Sequence, residues 1–197
     1  MRKNIIAFLS RSHGINILNS LISSNDYNLI QLYTHKLNPK SQDPFRNQRD
    51  DFVAFQEICF QNEIPLLSVD NKNEKIKNCP ECDYIVEVSW RYIIPQDIVK
   101  KAKFGAFGIH RGKLPDYAGA EPIKQALQNN EKNIVVSAHY LDTVIDYGKT
   151  IYSLSHPVNY DDKNSLENNI QRLRDEITPL FSKIMFKTFK ILTKEVS

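Results

Sequence analysis

The sequence lacks an apolar run of membrane-spanning length, has few cysteines and carries little excess charge. Each shortage removes a class of protein. A bilayer-crossing helix needs about 20 consecutive apolar residues. The run that follows Met1-Arg2-Lys3-Asn4 is also too short for a secretory leader. A cytoplasmic protein with no membrane partner is therefore expected. Three cysteines are an odd number and too few for a disulfide framework. Two of them spell Cys79-Pro80-Glu81-Cys82, but a structural zinc site wants two more ligands at matching spacing and none follows. The pair reads as two thiols in a connecting loop. The five histidines are scattered without ligand spacing, so no metal is expected. A net charge of +3 is too small to announce a nucleic-acid partner.

What is present points to one α/β domain. A chain of 197 residues can bury one sizeable core and is short for two independent domains. Buried strands are expected at 3–9, 27–33, 64–69, 84–88, 105–110 and 134–140, with a half-solvated edge strand at 150–158. Between them, helical spacing starts at Ser12 or His13, recurs through Phe52, Phe55, Ile58 and Cys59, and returns near Pro95 and at 122–128. Such alternation favours a Rossmann-like, mostly parallel twisted sheet covered by helices on both faces. The single domain then spans 1–197, with a core over 3–158 and a C-terminal helical segment over 165–193. Leu166, Ile170, Leu173, Ile177, Leu180 and Ile184 form its apolar stripe, and Pro179 should kink or break it. That stripe can cover its own sheet or a second copy of the chain, which leaves a homodimer open. Lys183, Lys187, Lys190 and Lys194 read as a solvated face. The polar stretch 36–51, interrupted by Pro39 and Pro44, reads as a mobile loop.

Three residues carry most of the chemistry. His110 closes an apolar run and opens the Pro/Gly-punctuated stretch Arg111-Gly112-Lys113-Leu114-Pro115-Asp116-Tyr117-Ala118-Gly119. His139 lies near the end of the next strand, and Asp146 follows in Asp146-Tyr147-Gly148. Strand ends are where open α/β sheets build sites. A histidine can give or take a proton near neutrality, and a neighbouring carboxylate would raise its pKa and fix its tautomer.

The stretch from Phe107 to Gly119, with the later Asp146-x-Gly148, resembles the signature of the folate-dependent formyltransferases. His110, Leu114, Pro115, Tyr117, Gly119, Asp146 and Gly148 match that signature. Gly108 stands where the family has an asparagine. The resemblance covers roughly 3–158 and implies formyl transfer from 10-formyltetrahydrofolate to a primary amine. It implies catalytic roles for His110 and Asp146, with His139 in reserve for the donor that Gly108 does not supply. A backbone N–H or a water beside Gly108 is the other substitute. The loop Ser89-Trp90-Arg91-Tyr92-Ile93-Ile94-Pro95 is similar to the family's pterin-wrapping loop. The resemblance therefore places Trp90, Arg91, Tyr92 and Ile93 in the folate site, with Asp142 on its far wall. Trp90 is read equally well as core.

The acceptor is narrowed by the same resemblance. Methionyl-tRNA formyltransferases add a C-terminal barrel, whereas a helical tail follows Val158 here. Glycinamide ribonucleotide enzymes carry a Gly-rich phosphate loop, whereas this chain has Leu9-Ser10-Arg11-Ser12-His13-Gly14. Amino-sugar N-formyltransferases fit best, which implies a sugar-nucleotide amine as substrate. Arg111, Lys113 and Tyr117 are then the substrate-binding candidates, the two cations through charge-assisted contacts. Two other readings stay open: a folate-binding or regulatory protein impaired in catalysis, and a formyltetrahydrofolate hydrolase.

Overall fold

The computed structural model describes residues 1–196. The chain forms two compact units, Met1–Ala106 and Phe107–Ser197.

The first unit is a parallel sheet with interleaved helices. β1 (Lys3–Leu9) pairs in parallel with β2 (Tyr27–Thr34) on one side and with β4 (Cys82–Val88) on the other, and β2 pairs in parallel with β3 (Leu66–Ser68). Ile5 to Leu9 are wholly buried, as a strand covered on both faces requires. Such a strand reads as a continuous apolar run, which is why β1 shows in the sequence. α1 (Arg11–Ile22) follows β1 directly and buries Ile17, Leu18 and Leu21. A Cβ on Gly14 would lie 3.1 Å from Leu9 Cβ and 3.3 Å from the Phe55 ring, so glycine lets the helix approach closely. α2 (Asp50–Gln61) buries Phe52, Phe55 and Cys59, and places Asp50 and Asp51 in its first turn, where the helix dipole favours anions. α3 (Gln96–Val99) is a single turn after Pro95. Cys79 and Cys82 are both buried free thiols, and burial pushes the Cys82 thiol up to about 12. The stretch expected as a mobile loop is tied down: Asp43 accepts from the Phe45 and Asn47 N–H groups, and Arg46 donates to the Asp70 carbonyl.

The second unit is antiparallel, a departure from the parallel pairing of the first. β5 (Ala102–His110) runs into it and pairs antiparallel with β6 (Asn133–Tyr140), which pairs antiparallel with β7 (Thr150–Pro157). The connection from β6 to β7 spans only residues 141–149, a length that suits a hairpin and not a crossover. α4 (Pro122–Gln128) starts with proline at its first position, which needs no N–H there. α5 (Leu166–Val196) is continuous. Pro179 does not break it: the residue sits on the exposed side while Leu173, Ile177, Phe181, Ile184, Met185, Phe189 and Leu192 form the buried stripe. Leu166, Ile170 and Leu180, expected in that stripe, are only half-buried. Each fully buried side chain of this kind contributes about 1.5–3 kcal/mol. Lys183, Lys187, Lys190 and Lys194 are exposed.

In hydrogen-bonded order the strands of the first unit run β3-β2-β1-β4, and those of the second β5-β6-β7. Among the described residues no helix is long and apolar enough to cross a membrane.

Candidate active site

His110 is the last residue of β5, and its neighbours are fixed by strand register. In β5 and β6, His110 faces Ser137 and Gly108 faces His139. Paired residues of an antiparallel ladder share a face, as do residues two apart. His110, Ser137, His139 and the Gly108 position therefore lie on one face of the pair. The pairing of β6 with β7 shifts register between Ala138 and His139, where Ile151 is the extra residue on β7. Ser153 donates to Ser137 at 3.1 Å, and Ser137 donates to the Gly112 carbonyl at 2.9 Å, so the sheet holds the loop that follows His110.

The 141–149 connection brings Asp146 onto this face. Its φ of 60° is left-handed, and a Cβ on Gly148 would fall 1.7 Å from the Tyr140 carbonyl oxygen. Only glycine permits that crossing of the hairpin. Asp146 Oδ2 lies 3.2 Å from His110 Nδ1, and Asp146 Oδ1 lies 3.5 Å from His139 Nε2. Oδ2 also accepts the Gly119 N–H at 2.9 Å. One carboxylate thus stands between two imidazoles.

The far nitrogens of both rings meet main-chain carbonyls. His110 Nε2 donates to the Tyr117 carbonyl at 2.7 Å, and His139 Nδ1 donates to the Tyr140 carbonyl at 3.0 Å. A carbonyl only accepts, so these contacts assign the tautomers. Each ring then turns its other nitrogen toward the same carboxylate. Two lone pairs and a carboxylate repel, so this arrangement is suited to receive a proton between Asp146 and a ring.

Burial and neighbouring charge act on the pair in opposite senses. Burial lowers the His110 pKa, and the Asp146 charge only partly offsets it. Burial alone would raise Asp146, but the hydrogen bond with His139, the charge of His110 and the Gly119 N–H together hold it below the usual carboxylate range. Neither partner keeps the proton firmly, a condition suited to proton transfer.

The other expected site residues divide. Tyr117 is buried and its hydroxyl donates to Glu131 at 2.7 Å, so it meets His110 through its carbonyl. Lys113 is exposed and pairs with Asp116 at 2.7 Å, while Arg111 is half-buried. Asp142 accepts from the Thr143 N–H and hydroxyl, closing a local turn. In the first unit, Trp90 stacks on His35 at 4.0 Å and meets Phe8 edge-on at 5.1 Å. Arg91 donates to the Leu37 carbonyl at 2.7 Å, Tyr92 donates to the Asp70 carbonyl at 2.9 Å, and Ile93 is exposed. The Trp90 indole N–H and the Arg91 Nε and Nη1 atoms are buried without a hydrogen-bond partner among the described residues. No group of three or more His, Cys, Asp or Glu among the described residues is arranged to hold a metal ion.

Several contributors carried no sequence signal of their own. The Tyr117 carbonyl and Gly119 N–H are main-chain groups that any residue would supply. Gly112 matters because a Cβ there would lie 2.6 Å from the Tyr117 oxygen and 2.8 Å from His110 Nε2. Ser137 could have been found, since it sits two residues before His139 on an expected strand.

Comparison with known proteins places the chain in a family. A family model described as formyl transferase matches residues 3–181. The methionyl-tRNA formyltransferase of Orientia tsutsugamushi is 32% identical over 152 residues, covering 75% of this chain and 48% of that protein. The chain spans about half the length of several of the curated relatives it matches. Among solved structures, phosphoribosylglycinamide formyltransferase from Bacillus halodurans shares the fold with a TM-score of 0.68 at 22% identity, over 98% of this chain and 97% of that one. A sugar 3N-formyl transferase determined in the presence of dTDP and 5-N-formyl-THF gives 0.61 at 20% identity, over 96% of this chain and 64% of that one. With its fold and nearly its whole length accounted for, this chain belongs to the formyl transferase family.

Proposed function

We propose that this chain transfers a formyl group from 10-formyltetrahydrofolate to a primary amine, with His110 and Asp146 handling the proton. The observation that carries this reading is the Asp146 carboxylate set 3.2 Å from His110 and 3.5 Å from His139. Bound 10-formyltetrahydrofolate supplies an activated formyl carbon and a nitrogen leaving group. The family resemblance is what assigns its pterin to the loop around Trp90, whose buried indole N–H and Arg91 Nε and Nη1 have no hydrogen-bond partner among the described residues. Ile93 presents an exposed apolar side chain in the same loop.

The chain's own residues then act as follows. The His110–Asp146 pair takes the proton released as the amine nitrogen forms its bond to the formyl carbon. It returns that proton to the nitrogen whose bond to the carbon breaks. Such acid–base assistance contributes about 10²–10⁴ in rate. Negative charge grows on the formyl oxygen meanwhile and needs a donor. Gly108 offers no side chain, and His139, paired opposite it on the same face, carries the nearest imidazole. His139 is therefore assigned to polarise that oxygen in the form that carries a hydrogen on Nε2 while Nδ1 keeps the Tyr140 carbonyl.

The acceptor proposed is the amino group of a nucleotide-linked amino sugar. At the start of α1 the Arg11 N–H is already taken by Asp51 Oδ2 at 2.7 Å, and Arg49 pairs with the same carboxylate. An internal anion there argues against a ribotide phosphate at that helix end. A second reading, formylation of an aminoacyl group on tRNA, is favoured by the similarity to the Orientia methionyl-tRNA formyltransferase. Incubation with the formyl donor and a panel of amino-sugar nucleotides, methionyl-tRNA and glycinamide ribonucleotide, followed by mass spectrometry, separates these readings. Product on the sugar alone is expected. Product on the aminoacyl-tRNA alone would transfer the assignment to the second reading.

A further inference from the structure

We infer that Glu131 is a positioning residue for this reaction, acting through the Tyr117 hydroxyl to place the main-chain groups that orient His110 and Asp146. The inference rests on the proposed role of that pair. Residues 117 to 119 touch both members of it: the Tyr117 carbonyl accepts from His110 Nε2 at 2.7 Å, and the Gly119 N–H donates to Asp146 Oδ2 at 2.9 Å. Whatever fixes this three-residue segment fixes the tautomer of one group and the charge of the other.

The segment has one strong side-chain anchor. Tyr117 donates its hydroxyl to Glu131 Oε1 at 2.7 Å, a short, charge-assisted bond, and receives the Asn129 amide at 3.4 Å. Glu131 is itself held at the end of α4, where its N–H donates to the Ala126 carbonyl at 3.0 Å. The neighbouring Lys113–Asp116 ion pair is exposed and contributes little to holding the turn. Tolerance at the far end is small, because a single added carbon at Gly112 would already crowd the Tyr117 oxygen to 2.6 Å. Glu131 thus reaches the site only through Tyr117 and has no part in the chemistry itself.

Three variants test this. Glu131→Ala and Tyr117→Phe should each lower kcat about tenfold, the worth of one lost orienting contact, while KM for the formyl donor stays within about twofold. Their double variant should be no slower than the slower single, since both cut one linkage. Glu131→Gln should recover most of the rate, because its amide oxygen accepts the same bond. The groups facing His110 are Asp146, His139, Arg111 and the Tyr117 carbonyl, and all remain in these variants. The acid limb of the kcat profile should move upward in Glu131→Ala as Asp146 loses the Gly119 N–H.

A second measurement needs no turnover. Imidazole ¹H–¹⁵N NMR should show His110 protonated at Nε2 in the parent protein and a tautomer mixture in Glu131→Ala and Tyr117→Phe. Tyr117→Phe removes one oxygen atom only, so it serves if Glu131→Ala fails to fold. Additive rate losses, or an unchanged His110 tautomer in both variants, would overturn the inference. If the parent transfers no formyl group, the NMR result still decides it while the proposed function falls separately.

Discussion

At the scale of single residues, the absent side chain at Gly108 organises the site as much as the histidines do. Its partner across the ladder is His139, and both share a face with His110. An asparagine there would place a second donor beside the ring now assigned to the formyl oxygen. Gly108→Asn should therefore raise kcat, by about tenfold or more if it approaches the usual worth of an oxyanion donor. A fall would mean that the glycine's space or backbone N–H is already in use. That His110 and Asp146 belong together was legible in the sequence because the roles proposed for them reside in their side chains. Tyr117 was legible as a residue but not as a carbonyl, and Gly112 not at all. Backbone groups act through position, and position is set by contacts such as Ser137 to Gly112 that one sequence does not display.

At the scale of elements, the short connection between β6 and β7 is the part most sensitive to change. Gly148→Ala cannot be built without displacing the Tyr140 carbonyl, and Tyr140 N–H also holds the Lys149 carbonyl at 3.0 Å. A loss of about 1–3 kcal/mol is expected, read from the denaturation midpoint, together with loss of transfer as Asp146 shifts. Strands 1, 2 and 4 and helices 1, 2 and 4 were readable from apolar runs and spacing. The antiparallel turn of β6 and β7 was not, since a buried strand looks alike in either direction. Pro179 misled for a related reason. A proline stops an isolated helix, but the buried stripe on the opposite side of α5 outweighs the lost hydrogen bond.

A second element-scale consequence concerns acid stability. His35, at the end of β2, donates from Nδ1 to the Val69 carbonyl at 2.6 Å and accepts the Arg91 N–H at Nε2. Burial, with the Arg91 charge adding to it, lowers its pKa from 6.5 to about 3. The folded state keeps this ring neutral while the unfolded state protonates it. Stability should therefore fall as pH drops below 6.5 and continue falling toward 3, by at most about 1.4 kcal/mol per pH unit. Asp146, held below its ordinary 3.8, adds a loss that sets in as pH falls through about 3.8. Urea titrations at several pH values check this, and His35→Asn should flatten the dependence above pH 4 or so. An equally steep slope in that variant would assign the loss to other groups.

At the scale of the whole molecule, the central claim is that this chain moves a formyl group and does not merely hold folate. Three activities predict different products. A transferase needs an amine, a hydrolase releases formate without one, and a binding protein returns the donor unchanged. The most direct measurement is a single-turnover experiment with isotope-labelled 10-formyltetrahydrofolate and excess enzyme, with and without the amine panel. The account predicts label on an amine only when that amine is present. The same label should fall by about 10²–10⁴ in His110→Ala and in Asp146→Asn. Label appearing as formate without any amine, or staying on the folate under every condition, would contradict it.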